Sequence, residues 1–156
     1  MLNCSFDLLQ IISIYGGPNV QTIQRSWAMT VDMRAQYLRY LGYLVMKLDN
    51  RGSSRRGLAF ERAIKNRLGS VELEDQIKGI DWLTEQGLCD PSRVAIYGWS
   101  YGGYLSAMAL CRHPQRFKVA VSGAPVTDWL GYDTHYTERY MSVPVDNDQG
   151  YVISSK

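Results

Sequence analysis

The chain has 156 residues, 46% of them apolar and 21% charged, with a net charge of +2. That length and balance suit one soluble domain with a real core, and a charge so near neutral argues against nucleic acid or an anionic membrane surface as partner. Three scattered cysteines, Cys4, Cys89 and Cys111, form no CxxC pair, which argues against a disulfide framework or a zinc site and for a reducing, cytoplasmic setting.

No apolar run is long enough to cross a bilayer. Residues 1–13 are apolar but lack Lys and Arg and carry Asp7, so they lack the charged start of a signal peptide. Residues 8–15 read as a strand, stopped by Gly16-Gly17-Pro18. Residues 27–41 carry apolar side chains at helical spacing and end at Gly42, a natural helix C-cap. Residues 43–48 are a short apolar run interrupted by Lys47, which suits a buried parallel strand. Arg51-Gly52-Ser53-Ser54-Arg55-Arg56 reads as a solvated loop rather than a phosphate site, because no aromatic residue interleaves it. Residues 59–68 and 71–86 read as helices; in the second, Ile77, Ile80 and Leu83 line one face and Gly87 closes it. A turn at Asp90-Pro91 leads to a strand over 93–97, a helix over 101–111 and a strand over 117–121. Cys111 lies in that apolar helix and is expected to be a buried small hydrophobe. The remainder is rich in aromatic residues and has no strand pattern.

Strands alternating with helices imply an α/β fold, a mostly parallel sheet flanked by helices. With no repeat and no low-complexity linker, residues 1–156 read as a single domain. Sites in such sheets sit at strand ends. Three strand ends stand out: Tyr15-Gly16-Gly17-Pro18, Asp49-Asn50-Arg51-Gly52, and Gly98-Trp99-Ser100-Tyr101-Gly102.

The third matches G-x-S-x-G, a strand-to-helix turn that lifts a serine hydroxyl clear of the sheet. Small residues two positions either side give the strained serine backbone room. An acyl-transfer serine also needs a general base, an orienting carboxylate and oxyanion donors. One donor is expected from the backbone N–H of Tyr101, and the second from the loop at Tyr15. Asp49 and Arg51 are expected to hold the loop beneath the site rather than to do chemistry.

These motifs occur in a fixed order. Tyr15-Gly16-Gly17-Pro18 is followed by Asp49-Asn50-Arg51-Gly52-Ser53, by Leu68-Gly69 with Glu74-Asp75-Gln76-Ile77, and by Gly98-Trp99-Ser100-Tyr101-Gly102-Gly103-Tyr104. Then come Ala124-Pro125-Val126-Thr127-Asp128-Trp129 and Tyr136-Thr137-Glu138-Arg139-Tyr140-Met141. Between Ile14 and Tyr151 the chain resembles the catalytic domain of the dipeptidyl peptidase IV family, in the prolyl oligopeptidase superfamily of serine peptidases. The resemblance implies a partial α/β-hydrolase fold, no cofactor and no metal. It implies release of N-terminal dipeptides after Pro or Ala through an acyl-enzyme. By the same resemblance Ser100 is the nucleophile, and the Tyr15 hydroxyl and Tyr101 N–H hold the oxyanion. Val126, Trp129, Tyr132 and Tyr136 match the pocket that takes the proline ring, and flat aromatic walls suit a small rigid ring. Without the resemblance, Tyr15 reads as a strand-end core aromatic, and Tyr132, Tyr136 and Tyr140 read as the buried stripe of a helix. Tyr140 keeps that structural reading. The family holds the substrate amine with an acidic pair on a separate β-propeller domain, and nothing in this chain matches that domain.

The family's catalytic Asp and His follow the serine on later strand ends, beyond Lys156. The match fades after Tyr151, and Val152-Ile153-Ser154-Ser155-Lys156 resembles nothing in the family. His113 reads as a surface residue at a helix end; Asp128 and His135 have the right order but fall in the pocket-lining region. The chain therefore reads as an excerpt with negligible peptidase activity alone. Two other readings stay open. One is a non-catalytic fragment acting as a regulatory or dimerisation partner, a homo-oligomer included, through exposed apolar surface. The other is a different α/β-hydrolase, an acylaminoacyl peptidase or esterase, against which the Tyr136-Thr137-Glu138-Arg139-Tyr140-Met141 run argues.

Overall fold

A computed structural model describes residues 8–27 and 32–155. Part of the helix expected over 27–41 lies outside the described residues. Four strands, β1 (Gln10–Ile14), β2 (Leu44–Met46), β3 (Val94–Trp99) and β4 (Val119–Gly123), form one sheet in the order β2-β1-β3-β4. Every pairing is parallel. Among the described residues the helices are α1 (Met33–Tyr40), α2 (Leu58–Glu61), α3 (Val71–Glu85), α4 (Tyr101–Arg112), α5 (Thr134–Met141) and α6 (Asp148–Ser154). Short 3-10 turns follow α2 and precede α6.

The core lies where α3 and α4 cover one face of the sheet. Ile12, Ile96, Leu73, Ile80, Leu105 and Met108 are all buried there. Burying each such side chain contributes about 1.5–3 kcal/mol. The opposite face is thinly covered. Helix α1 packs beside β2 but buries none of its own side chains fully. Trp99, Val119 and Val121 stay exposed at 69, 54 and 62% of their surface.

Several elements differ from the sequence pattern. The helix expected over 59–68 is a single turn, α2, ending in a 3-10 turn over Arg62–Ile64. The chain then leaves helical geometry because its polar groups find distant partners. Asn66 takes a positive φ of 64°, its N–H donates to Tyr140 O at 2.8 Å, and its side-chain oxygen accepts from Ser142. The strand expected over 117–121 begins two residues later. Phe117 is fully buried in the turn after α4, and β4 extends to Gly123 opposite Trp99. Strand β2 is a half-buried edge strand. Cys111 is exposed. The covered face of α4 is carried by Tyr101, Tyr104, Leu105, Met108 and Ala109, which leaves Leu110 and Cys111 facing outward. Residues 134–154 form α5 and α6 with a 3-10 turn between them, in keeping with the absence of a strand pattern, and they are not peripheral. Tyr104 donates its hydroxyl to Ser154 O at 2.7 Å, and Ser154 Oγ accepts from Leu68 N–H.

Candidate active site

The parallel register brings the site together. Ile14 pairs with Gly98 and Trp99 pairs with Gly123, so β1, β3 and β4 end side by side. Tyr15 follows β1 and Ser100 follows β3, which places them at adjacent strand ends although they are far apart in sequence.

Ser100 sits between β3 and α4 with φ 55° and ψ −117°. A non-glycine residue there is strained by about 1–3 kcal/mol and persists only when its surroundings impose it. They do so here. Ser100 N–H donates to Gly123 O at 2.9 Å, and Ser100 O accepts from Tyr104 N–H at 2.9 Å. The flanking glycines are required by close approach. A Cβ on Gly98 would lie 2.5 Å from both Ile14 O and the Gly102 carbonyl, and one on Gly102 would lie closer still to Ile14 O.

The strained turn frees groups for chemistry. Tyr101 occupies the first helical position, where a backbone N–H has no intrahelical acceptor. That N–H and the positive end of the α4 dipole face the space beside Ser100. Ser100 makes no side-chain hydrogen bond as the cap of α4, so its hydroxyl is free for a ligand.

The Tyr15 loop closes over the elbow. Gly16 has φ +70° and its carbonyl accepts from Asn50 Nδ2 at 2.9 Å. Gly17 lies against the Tyr101 ring, where a Cβ would come within 2.8 Å of Cγ. The ring of Tyr15 is 6.3 Å from that of Tyr101. Burial, then the neighbouring Tyr132 and Tyr140, push the Tyr15 phenol above its ordinary value. It is therefore held as a neutral hydroxyl, able to donate.

The Asp49-Asn50-Arg51 segment buttresses this loop from below. The Asp49 carboxylate accepts from Thr22 N–H at 2.8 Å and Ile23 N–H at 2.9 Å. Gln76 Nε2 donates to Asn50 Oδ1 at 3.1 Å, linking the loop to α3. Arg51 grips Asp75 with both its backbone and its guanidinium, at 2.9 and 2.7 Å. Burial pushes the Asp75 carboxyl up, but the Arg51 hydrogen bonds and charge outweigh it and hold it below the usual range. Arg51 is thus engaged in structure, while Arg55 and Arg56 remain exposed.

The aromatic residues gather on the other side of the elbow. Trp129 is buried, 5.7 Å from Tyr101 and stacked at 8° on Tyr136. Tyr132 stands edge-on to both, at 5.9 and 5.5 Å. Val126 is half-buried and packs against the core. Burial first, then surrounding hydroxyls, raise the Tyr136 phenol. Tyr140 touches Tyr136 edge-on and accepts at its hydroxyl from Asn19, tying this wall to the Tyr15 loop. Asp133 caps α5 by accepting from Tyr136 N–H, which sets where the stripe of tyrosines begins.

The other candidates are not brought to the serine. His113 lies at the far end of α4, roughly 18 Å along the helix from Ser100. Burial and the charges of Arg112 and Arg116 lower its pKa. His135 is exposed on the first turn of α5, and Asp128 accepts from Leu130 N–H and Ser155 Oγ. Arg139 and Glu138 form no ion pair; the Arg139 guanidinium lies over the Tyr140 ring. Among the described residues no cluster of His, Cys, Asp or Glu could hold a metal, and no helix is long and apolar enough to cross a membrane. One buried group lacked any sequence signal. Glu72 reads as an ordinary acidic residue at a helix start, yet it is 0% exposed against Tyr101.

The chain is similar to known proteins in both sequence and fold. Residues 29–156 match the prolyl oligopeptidase family. The chain is 49% identical over 146 residues to dipeptidyl peptidase 8 of Mus musculus, which covers 93% of this chain and 16% of that protein. It is 40% identical over 142 residues to dipeptidyl aminopeptidase B of Saccharomyces cerevisiae, covering 90% and 17%. A crystal structure from Bacteroides ovatus, assigned as a dipeptidyl aminopeptidase IV, superposes with a TM-score of 0.91 at 40% identity, over 95% of this chain and 21% of its own. The parallel sheet with flanking helices is therefore a partial α/β-hydrolase fold, and the chain belongs to the prolyl oligopeptidase family of serine peptidases. The family match runs on through residue 156, which corrects the expectation that the resemblance fades after Tyr151, and within that stretch Ser154 bonds to the Leu68 N–H and the Tyr104 hydroxyl.

Proposed function

We propose that this chain carries the nucleophile, oxyanion hole and proline pocket of a peptidase that releases N-terminal dipeptides after Pro or Ala. The observation that carries the reading is the strained Ser100 turn with the Tyr15 loop beside it and the aromatic wall of Trp129 and Tyr136 behind it. In this scheme Ser100 Oγ gives its proton to a base and attacks the carbonyl of the Pro or Ala residue, the Tyr101 N–H and Tyr15 hydroxyl stabilise the oxyanion, the following residue's amine leaves with that proton, and water hydrolyses the acyl-enzyme to release the dipeptide. Val126, Trp129, Tyr132 and Tyr136 hold the ring of Pro or the methyl of Ala. Names of relatives support this direction, but the chain spans only 16% and 17% of those proteins, so the complete reaction is a proposal.

No described residue makes a hydrogen bond with the Ser100 hydroxyl that would activate it, and both histidines lie elsewhere. We therefore propose that these residues alone give negligible turnover, and that a base from outside them completes the site. The test offers this chain, and a chain lengthened to match its relatives, a fluorogenic Gly-Pro amide, with Ser100→Ala in each as control. Turnover by the lengthened wild type alone is expected. Activity of the short chain well above its Ser100→Ala control overturns the claim that it lacks its base. A lengthened chain that prefers short acyl esters to Gly-Pro amides sinks the dipeptidase reading.

A second reading draws on the open sheet face, where Val119 and Val121 of the edge strand β4 and Trp99 of the neighbouring β3 are exposed. Exposed apolar surface of this kind favours association, so the chain would act as a dimerisation partner. A stable monomer by sedimentation argues against that reading.

A further inference from the structure

Glu72 has no part in the reaction proposed above, and yet it is fully buried against the site. Its Oε1 accepts from the Tyr101 hydroxyl at 2.5 Å and from Gly69 N–H at 3.0 Å. Its Oε2 is buried without a hydrogen-bond partner. Filling this space does not require a carboxyl. A leucine would pack there without the cost of desolvating a polar group, so the feature to explain is the hydrogen bond to Tyr101. Burial, opposed by the Tyr101 and backbone hydrogen bonds, raises the Glu72 pKa, which favours the neutral acid.

Tyr101 joins the three parts of the candidate site. Its backbone N–H faces the space beside Ser100, its ring carries Gly17 of the Tyr15 loop, and the same ring abuts Trp129. A ring attached at Cα and held at its far hydroxyl has little freedom to tilt. Any tilt would move the Tyr15 loop and the first turn of α4 together. We propose that Glu72 is a positioning residue that, by holding the Tyr101 hydroxyl, sets the Tyr101 N–H and the Tyr15 loop in register with Ser100. Its catalytic consequence rests on Ser100 being the nucleophile; its structural consequence does not.

The test compares wild type, Glu72→Leu, Glu72→Gln and Tyr101→Phe. In this chain, amide exchange and shifts are followed by NMR. Glu72→Leu and Tyr101→Phe are expected to speed exchange of the Tyr104 N–H, which bonds to Ser100 O, by about tenfold through local opening. Both should also move the Gly17 amide resonance, and Glu72→Leu that of Tyr101 as well, leaving Ile12 in β1 unchanged. Glu72→Gln keeps an acceptor in place and should restore most of the wild-type values, a rescue that space filling alone does not predict. Unmoved Tyr101 and Gly17 resonances in Glu72→Leu, or equal failure of Glu72→Gln, overturn the proposal.

In the lengthened chain, Glu72→Leu and Tyr101→Phe should lower kcat by about ten- to a hundredfold, part of what losing one oxyanion donor costs, with KM nearly unchanged. Wild-type kcat in an active Glu72→Leu enzyme also overturns it. If the lengthened wild type has no activity, the nucleophile reading fails, while the amide measurements still decide whether Glu72 positions Tyr101.

Discussion

The two faces of the sheet differ sharply. On the side of α3 and α4, Ile12, Ile96, Leu105 and Met108 are all at or below 1% exposure. On the other, Val119 and Val121 of β4 point out at 54 and 62%. The strands are the same, and so is their alternation, but α3 and α4 bury one set of side chains, while the other set meets α1 at β2 and Arg34 at Tyr97 and stays partly exposed. The packed face is also the one that bears on the candidate site, because α4 starts at the elbow and α3 supplies Glu72, Asp75 and Gln76 beneath it. Rigidity at Ser100 is thus inherited from the dense half of the molecule, and the open half contributes surface.

The largest effect expected from this contrast comes from the elbow. Gly98→Val places side-chain atoms into Ile14 O and the Gly102 carbonyl, so it should cost more than about 4 kcal/mol, or abolish folding, in urea denaturation. Next come cavities on the packed face. Leu105→Ala should cost about 2–5 kcal/mol. A Leu105→Ala cost no larger than that of an exposed residue would break the comparison.

Opposite pH slopes should follow from two carboxyls on α3. Glu72 is raised by burial, so its contribution is full below its unfolded value, about pH 4.3, and is lost as pH rises through the folded value. Asp75 is lowered by Arg51 against the push of burial. Its contribution is present above its unfolded value and is lost as pH falls through the folded one. Glu72→Gln should flatten the loss of stability as pH rises through the folded value, and Asp75→Asn the loss as pH falls. Denaturation midpoints across pH check both signs. The smallest effect belongs to the open face, where Val121→Thr should change stability by no more than about 0.5 kcal/mol. It should also lower self-association, measured by sedimentation.

Much of the site was legible because local constraints are written locally. The G-x-S-x-G turn tolerates only small flanking residues, since backbone atoms of Ile14 and Gly102 occupy the space. The alternation of strands and helices announced a parallel sheet for the same reason, that each period reflects one covered face. Other features had no local signature. Residues 59–68 have helical propensity, but Asn66 bonds to Tyr140 and Ser142 and ends the helix early. Cys111 belongs to an apolar helical run, and only the direction of α4 across the sheet decides that it faces out.

The sequence by itself determined the family, the serine at a strand-to-helix turn and the order of the elements, because these depend on residue size and spacing over a few neighbours. Tertiary structure alone decided which tyrosines do what. Tyr101, Tyr136 and Tyr140 are equal as letters, but one is held by a buried carboxyl, one is stacked on Trp129 and one is bonded to Asn19. The contacts of Tyr101 and Tyr140 join residues 29 and 121 positions apart, and packing of distant elements on the parallel sheet, not proximity in the chain, brings those partners to one place.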